Sequence, residues 1–196
     1  MIQIAVPASG NGSNFQALID ATRAETLDAC IVLLISNNSR SGAMTRAAAA
    51  NIEAVHISSA THPTADVRDS AMLAALRASG AELVITAGYM KKLGPRTLSA
   101  FRGRIINIHP SLLPRHGGAG MFGLRVHEAV LASGDAETGA TIHHVEGDYD
   151  TGPVINQVKV RVTAGDTPHT LAARVLLAEH ELLLETVAEL CRQRRT

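Results

Sequence analysis

Apolar and polar positions follow one rhythm through the first half of this chain and a different one after Pro114. Ile2–Ala8 is a short apolar run that ends in the glycine-containing turn Ser9–Asn14. Beyond it Phe15, Leu18 and Ile19 fall on one face of a helix, with Ser13 or Asn14 as the expected N-cap. Ala29–Ser36 (ACIVLLIS) is apolar almost without interruption, the pattern of a parallel strand covered on both faces. An Ala-rich helix over Ala43–Asn51, a short strand over Glu53–Ile57 and an amphipathic helix over Ala65–Ser79 continue the alternation. A second buried strand, Glu82–Ala87, leads to a short helix at Pro95–Phe101 and a strand, Arg104–His109, that ends on its histidine. Strands alternating with helices imply right-handed crossovers and an open parallel sheet.

After Pro114 that grammar stops. Arg115–Gly123 (RHGGAGMFG) has four glycines in nine residues and reads as a mobile loop. Leu124–Ala132 returns to helix, and Ala140–Val145 and Val154–Val162 are two strands with no helix between them, hence an antiparallel pair. Pro168–Gln193 is a long helix, with Thr167 as N-cap and Pro168 at the first helical position. The expected fold class is α/β: a Rossmann-like open, mostly parallel sheet with helices on both faces, extended by a C-terminal strand pair plus a long helix. It forms a single domain over residues 1–196, divided into a Rossmann-like phosphate-binding part (1–109) and a part holding the loop, the late strands and the C-terminal helix (110–196).

Composition narrows the partners. Lys+Arg and Asp+Glu balance at 18 each, so no global positive field draws nucleic acid or an anionic membrane to the chain. Aromatics make up only 3% of residues and Trp is absent, which removes the stacking platforms used for single-stranded nucleic acid. Any anion must be held by local geometry. Cys30 and Cys191 form no Cys-x-x-Cys pair, and neither a secretory signal nor a spanning apolar run is found, so the cytoplasm is the expected compartment. Nine histidines are a surplus for 196 residues.

Three constellations carry candidate chemistry. Ser9-Gly10-Asn11-Gly12-Ser13-Asn14 joins the first strand to the first helix, where open α/β sheets bind ligands and free N–H groups face an anion. Phe15 fills the third slot of a dinucleotide fingerprint, and Ser36-Asn37-Asn38-Ser39 offers no acidic ribose ligand. A cradle for one phosphate fits better than a nucleotide site. In Asn107-Ile108-His109-Pro110-Ser111-Leu112-Leu113-Pro114, strand alternation puts Asn107 and His109 on one face, and Pro110 ends the strand beside them. An amide donor next to an imidazole suits polarising a carbonyl and stabilising an oxyanion. The turn Asp148-Tyr149-Asp150-Thr151-Gly152-Pro153 supplies a carboxylate to raise the pKa of His109 and relay a proton, with Asp148 and Asp150 both open. His143 and His144 point to opposite faces by the same alternation and cannot share an ion, so no metal is expected.

Together Ser9–Asn14, Ala87-Gly88-Tyr89-Met90, Asn107–Pro114 and Gly139–Gly152 resemble the folate-dependent formyltransferases, in particular those acting on glycinamide ribonucleotide. The resemblance implies transfer of a formyl group from 10-formyltetrahydrofolate, a co-substrate and not a tightly bound cofactor, to the primary amine of that ribonucleotide in de novo purine synthesis. By similarity Gly12, Ser13 and Asn14 hold the phosphate, and Glu179 contacts the ribose, with Arg174 a secondary candidate. Met90, Lys91, Lys92 and Leu93 flank the pterin; Asn107 and a protonated His109 polarise the formyl group; Asp150, selected over Asp148, supports the imidazole. His143 assists from beside the cleft.

Three places depart from the commoner pattern. The loop Arg115–Arg125 is longer and richer in glycine, with His127 after it on the site wall. His144 replaces an aromatic or apolar residue, and Arg68 is the nearest candidate for a folate-contacting arginine. The expected partners are small molecules only, and the chain is a monomer or homodimer. The alternatives are a formyltetrahydrofolate hydrolase, expected to carry an N-terminal regulatory domain before the first strand, and, from another class, a nucleotide-binding oxidoreductase.

Overall fold

A computed structural model describes residues 1–194; the last two positions of the expected domain, 195 and 196, lie outside the described residues. Among the described residues thirteen elements follow one another, strand and helix alternating until the late strand pair. They are β1 (Ile2–Pro7), α1 (Ser13–Arg23), β2 (Ala29–Ser36), α2 (Gly42–Ala50), β3 (Ala54–His56), α3 (Ala65–Ala78), β4 (Leu83–Thr86), α4 (Pro95–Ala100) and β5 (Ile105–His109), followed by α5 (Leu124–Ala132), β6 (Glu137–His144), β7 (Val154–Arg161) and α6 (Pro168–Gln193).

The seven strands form one sheet in the order β3-β2-β1-β4-β5-β6-β7. The first five are parallel, and β6 and β7 each pair antiparallel to their neighbours. The late strand pair is therefore antiparallel, as the missing crossover helix implied. β6 starts at Glu137, earlier than the sequence pattern suggested, and matches the full length of β7.

Each face of the sheet has its own apolar core. Ile2, Ile4 and Val6 of β1 point to one side, where Phe15, Leu18 and Ile19 of α1 and Leu183 and Val187 of α6 cover them. Ala5 points to the other side, with Leu33, Val84 and Ile105 beneath Met72 and Leu76 of α3 and Phe101 just beyond α4. This period-two division places helices on both faces. Val130 of α5 packs on Leu171 and Val175 of α6.

Capping follows the expectation at one helix and departs from it at another. Thr167 caps α6 in a reciprocal capping box with Thr170, and Pro168 occupies the first turn. Neither Ser13 nor Asn14 caps α1. Gly12 stands at the N-cap in the left-handed region (φ 76°) and makes no side-chain bond, which leaves the first N–H groups of the helix free of a side-chain cap.

Strand order reverses between β1 and β4, since the chain first builds outward to β3 and then returns to β4 on the other side of β1. Crevices open at the carboxyl ends of strands flanking such a point. The turns after β1 and β4 and the end of β5 all meet there.

Candidate active site

One cleft of about 760 Å³ occupies this crevice. Gly12, Ser13 and Asn14 line one part, Met90, Lys91, Lys92 and Leu93 another, and Asn107, His109, His143 and Asp150 the centre, while α6 contributes Glu179. These candidates thus share one wall system, although they come from six separate segments.

At the Gly12 end, α2 moulds the turn after β1. A Cβ on Gly12 would lie 2.9 Å from Ala43, so the positive φ and the close approach both call for glycine. Ala43 N–H donates to the Gly10 carbonyl at 3.2 Å. The Arg46 guanidinium donates to the Asn11 carbonyl and to Gln16 Oε1, both at 2.9 Å. Ser9 ties this turn to the next strand: its hydroxyl donates to Asn37 Oδ1 at 2.5 Å and accepts from Met90 N–H at 2.8 Å. Asn14 Nδ2 reaches Glu179 Oε1 at 3.5 Å, and Asn14 Oδ1 has no protein partner although it is buried. Burial pushes the Glu179 carboxyl up to about 7, with the Asn14 bond only partly opposing it.

At the β5 end, side chains aim one another. Thr86 hydroxyl donates to Asn107 Oδ1 at 2.7 Å, which sends the amide Nδ2 toward His143 Nε2 at 3.1 Å and Asp150 Oδ1 at 3.4 Å. His143 sits opposite Asn107 in the β5–β6 register. Its Nδ1 donates to the His144 carbonyl at 2.8 Å, and its Nε2 faces both the Asn107 amide and Asp150 Oδ1. His109 is 4% exposed; its Nε2 donates to the His116 carbonyl at 2.8 Å and its Nδ1 faces Asp150 Oδ2 at 3.5 Å.

The two aspartates part company. Asp150 lies 3.5 Å from both His109 and His143, and Gly118 N–H donates to its Oδ2 at 2.9 Å. Asp150 itself adopts a left-handed backbone (φ 57°), and a Cβ on Gly152 would collide with the His144 carbonyl at 1.8 Å. The turn is thus folded tightly against β6. Asp148 is exposed and pairs with Lys92 at 2.5 Å. Lys91 and Lys92 lie in the irregular segment between β4 and α4, so neither begins a helix.

At His109 burial and its polar neighbours act in opposite directions. Burial lowers the pKa of His109 below that of an ordinary histidine; Asp150 and the His116 carbonyl raise it, but not enough to reverse the effect. The imidazole is therefore neutral at neutral pH in the free protein, not protonated. Burial also pushes the Asp150 carboxyl up, yet His143, His109 and Gly118 N–H together hold it below the usual carboxylate range. A neutral imidazole beside an ionised carboxylate is the starting state.

Two arginine candidates are placed elsewhere. Arg174 donates to the Arg161 carbonyl and pairs with Asp166, and Arg68 donates to the carbonyls of His62 and Pro63, so neither lines the cleft. The glycine-rich loop, expected to be mobile, is tied by Gly118 to Asp150 and by His116 to Asp135 as well as to His109. His127 does line the cleft, with a buried Nδ1 that has no protein partner. Thr86, Arg46, Gly118 and Asp135 escaped the sequence reading, because each acts through a contact that no local spacing encodes. Among the described residues no group of three or more His, Cys, Asp or Glu side chains could hold a metal ion, and no helix is long and apolar enough to cross a membrane.

The formyl transferase family model matches residues 2–187, and the chain belongs to the formyl transferase family. It is 40% identical over 193 residues to the chloroplastic phosphoribosylglycinamide formyltransferase of Arabidopsis thaliana, an alignment covering 98% of this chain and 66% of that protein. It therefore spans just under two thirds of the plant relative's length. Against phosphoribosylglycinamide formyltransferase of Escherichia coli (strain K12) the identity is 35%, covering 92% of this chain and 83% of the relative. The crystal structure of glycinamide ribonucleotide transformylase 1 from Symbiobacterium toebii superposes with a TM-score of 0.92 at 36% identity, over 99% of this chain and 89% of that one. The Rossmann-like sheet with a late strand pair and long last helix is thus the fold of this group.

Proposed function

We propose that the protein transfers the formyl group of 10-formyltetrahydrofolate to the primary amine of glycinamide ribonucleotide, in de novo purine synthesis. One observation carries the reading: a single cleft joins a backbone cradle shaped for one phosphate to the Asn107, His109 and Asp150 cluster. A hydrolase using water as acceptor has no need of the cradle.

The roles follow from the geometry. Gly12, Ser13 and Asn14 hold the phosphate on free N–H groups at the start of α1, where the helix dipole favours an anion. Glu179, half-neutral near pH 7, sits at this end without imposing a full like charge on the phosphate, and accepts from the ribose hydroxyls. Met90, Lys91, Lys92 and Leu93 flank the pterin of the folate, which is bound as co-substrate and leaves as tetrahydrofolate.

The amine nitrogen attacks the formyl carbon, and the Asn107 amide donates to the oxygen as it becomes negative. Loss of one such donor costs about 3 kcal/mol of transition-state stabilisation. Neutral His109 takes the proton that the attacking nitrogen loses, and Asp150 stabilises the resulting imidazolium from 3.5 Å. His109 returns that proton to the folate nitrogen as its bond to the formyl carbon breaks. His143 supports the cluster through Asn107 and Asp150.

The chain works as one domain built on one sheet, as a monomer or homodimer, in the cytoplasm, whose reducing conditions suit its two free thiols. The test is a transfer assay with purified protein, in which formylated ribonucleotide and tetrahydrofolate appear in equal amounts and only when both substrates are present. Folate hydrolysis independent of the ribonucleotide would overturn the reading.

A further inference from the structure

Asp135 follows α5, outside the cleft, yet it is connected to the centre of the site by a short chain of contacts. Its Oδ2 accepts from His116 Nε2 at 2.7 Å, and its other oxygen pairs with Arg115. Both the Asp135 and the His116 side chains are largely buried, 8% and 14% exposed. The His116 backbone adopts φ 54°, a left-handed conformation that a residue with a β-carbon disfavours. In that conformation its carbonyl meets His109 Nε2 at 2.8 Å.

We propose that Asp135 is a positioning residue for His109: by holding the His116 side chain it keeps the His116 carbonyl on His109 Nε2, and so selects the ring tautomer that leaves Nδ1 free to take up a proton. The inference rests on the reading of His109 as the proton-carrying group.

Four observations support it. A carbonyl can only accept, so the contact at Nε2 places the neutral ring's hydrogen there and its lone pair on Nδ1, beside Asp150. Gly117 and Gly118 follow directly, and glycines give the backbone little reason to stay in one shape, so the loop depends on an external anchor. Packing against Leu113 holds the Gly117 side of the loop, where a Cβ would lie 2.5 Å from that side chain, but the His116 side borders open space. A cavity of about 310 Å³, lined by Leu112, Arg115, His116 and Asp135–Thr138, lies on this side of the loop, and the His116 ring has room to swing if Asp135 releases it. The same loop conformation delivers Gly118 N–H to Asp150, so one anchor serves both members of the His109–Asp150 pair.

The groups facing His109 set the sign of the test. Asp150 from the β6–β7 turn and the His116 carbonyl favour the protonated ring, while burial and the His143 and His116 rings disfavour it, and His127 of α5 lies close enough to interact with it. Losing the His116 carbonyl removes one of the two favourable contacts, and the His109 titration must move to lower pH.

The experiment is ring-nitrogen NMR of His109 in the ligand-free protein, for wild type, Asp135→Ala, His116→Phe, the double variant and Asp135→Asn, followed by steady-state transfer kinetics. Wild type is expected as the Nε2–H tautomer. Asp135→Ala and His116→Phe are each expected to give a tautomer mixture, a midpoint at lower pH and a kcat reduced about tenfold or more, with both KM values within about twofold. The double variant should be no worse than either single one, because both break the same chain of contacts. Asp135→Asn, which keeps an oxygen acceptor for His116, should restore the wild-type tautomer. An unchanged tautomer and midpoint in the folded single variants would overturn the inference, and if Asp135→Ala does not fold, His116→Phe decides alone. The expected NMR pattern in a protein without transfer activity would uphold the positioning role and sink only the proposed reaction.

Discussion

At the Gly12 end of the cleft the chain presents backbone N–H groups whose arrangement is imposed by a neighbouring helix; at the His109 end it presents side chains that aim one another. The first end depends on small residues, Gly12 against Ala43, with Arg46 bracing the turn from outside. The second depends on a hydrogen-bonded cluster, Thr86 to Asn107 to His143 and Asp150, in which each group leaves its neighbour one permitted orientation. Damage to a backbone cradle should therefore appear as weaker binding of the phosphate-bearing substrate. Damage to the cluster should appear as slower chemistry on substrates that still bind.

The largest expected effect is at the cluster. Asp150→Asn keeps the shape of the turn and removes the charge that stabilises an imidazolium on His109. It should lower kcat about a hundredfold or more with little change in the KM for ribonucleotide. Asp148→Asn, which loses only the surface pair with Lys92, should retain most activity. A reversal of these two results would show that the wrong carboxylate has been assigned.

A smaller effect is expected at the cradle. Gly12→Ala puts a Cβ 2.9 Å from Ala43 on a backbone with φ 76°. Strain of about 1–2 kcal/mol should raise the KM for ribonucleotide about tenfold while kcat and the KM for folate change little. An equal loss in kcat would blur the distinction between the two ends.

The smallest effect concerns Glu179 and stability. Its carboxyl is raised to about 7, so the folded protein favours the protonated form, and stability from this group is lost as pH rises through that value. Glu179→Gln should therefore raise the Tm of the ligand-free protein at pH 8 by about a few degrees, with a smaller gain at pH 5. The same substitution should weaken ribonucleotide binding. A Tm gain that does not depend on pH would rule out ionisation as its cause.

The same contrast explains what could be read from the sequence. The parallel half was legible because β2 and β4 are buried on both faces and their crossover helices keep a clear period, so each segment declares itself locally. Asn107 and His109 were legible because strand alternation alone puts them together. The His109 charge state was not legible: it depends on how far burial outweighs Asp150, a balance set by chain segments 40 residues away. Nor were Thr86 or Asp135, whose roles depend on the β4–β5 register and on a loop folding back past α5. The start of α1 misled for a different reason. Ser13 and Asn14 are good caps by type, but the helix begins at Gly12 because Ala43 crowds that position and leaves space for no side chain.

In the proposed reaction one cleft anchors a phosphate at one end and moves a formyl group at the other. The measurement that tests it most directly compares formyl transfer to glycinamide ribonucleotide with transfer to the same acceptor lacking its phosphate. The dephosphorylated acceptor should be formylated by the same His109- and Asp150-dependent chemistry, but with kcat/KM lower by about a hundredfold or more, the loss of a charge-assisted anchor of ~3 kcal/mol. Equal kcat/KM for the two acceptors would contradict it.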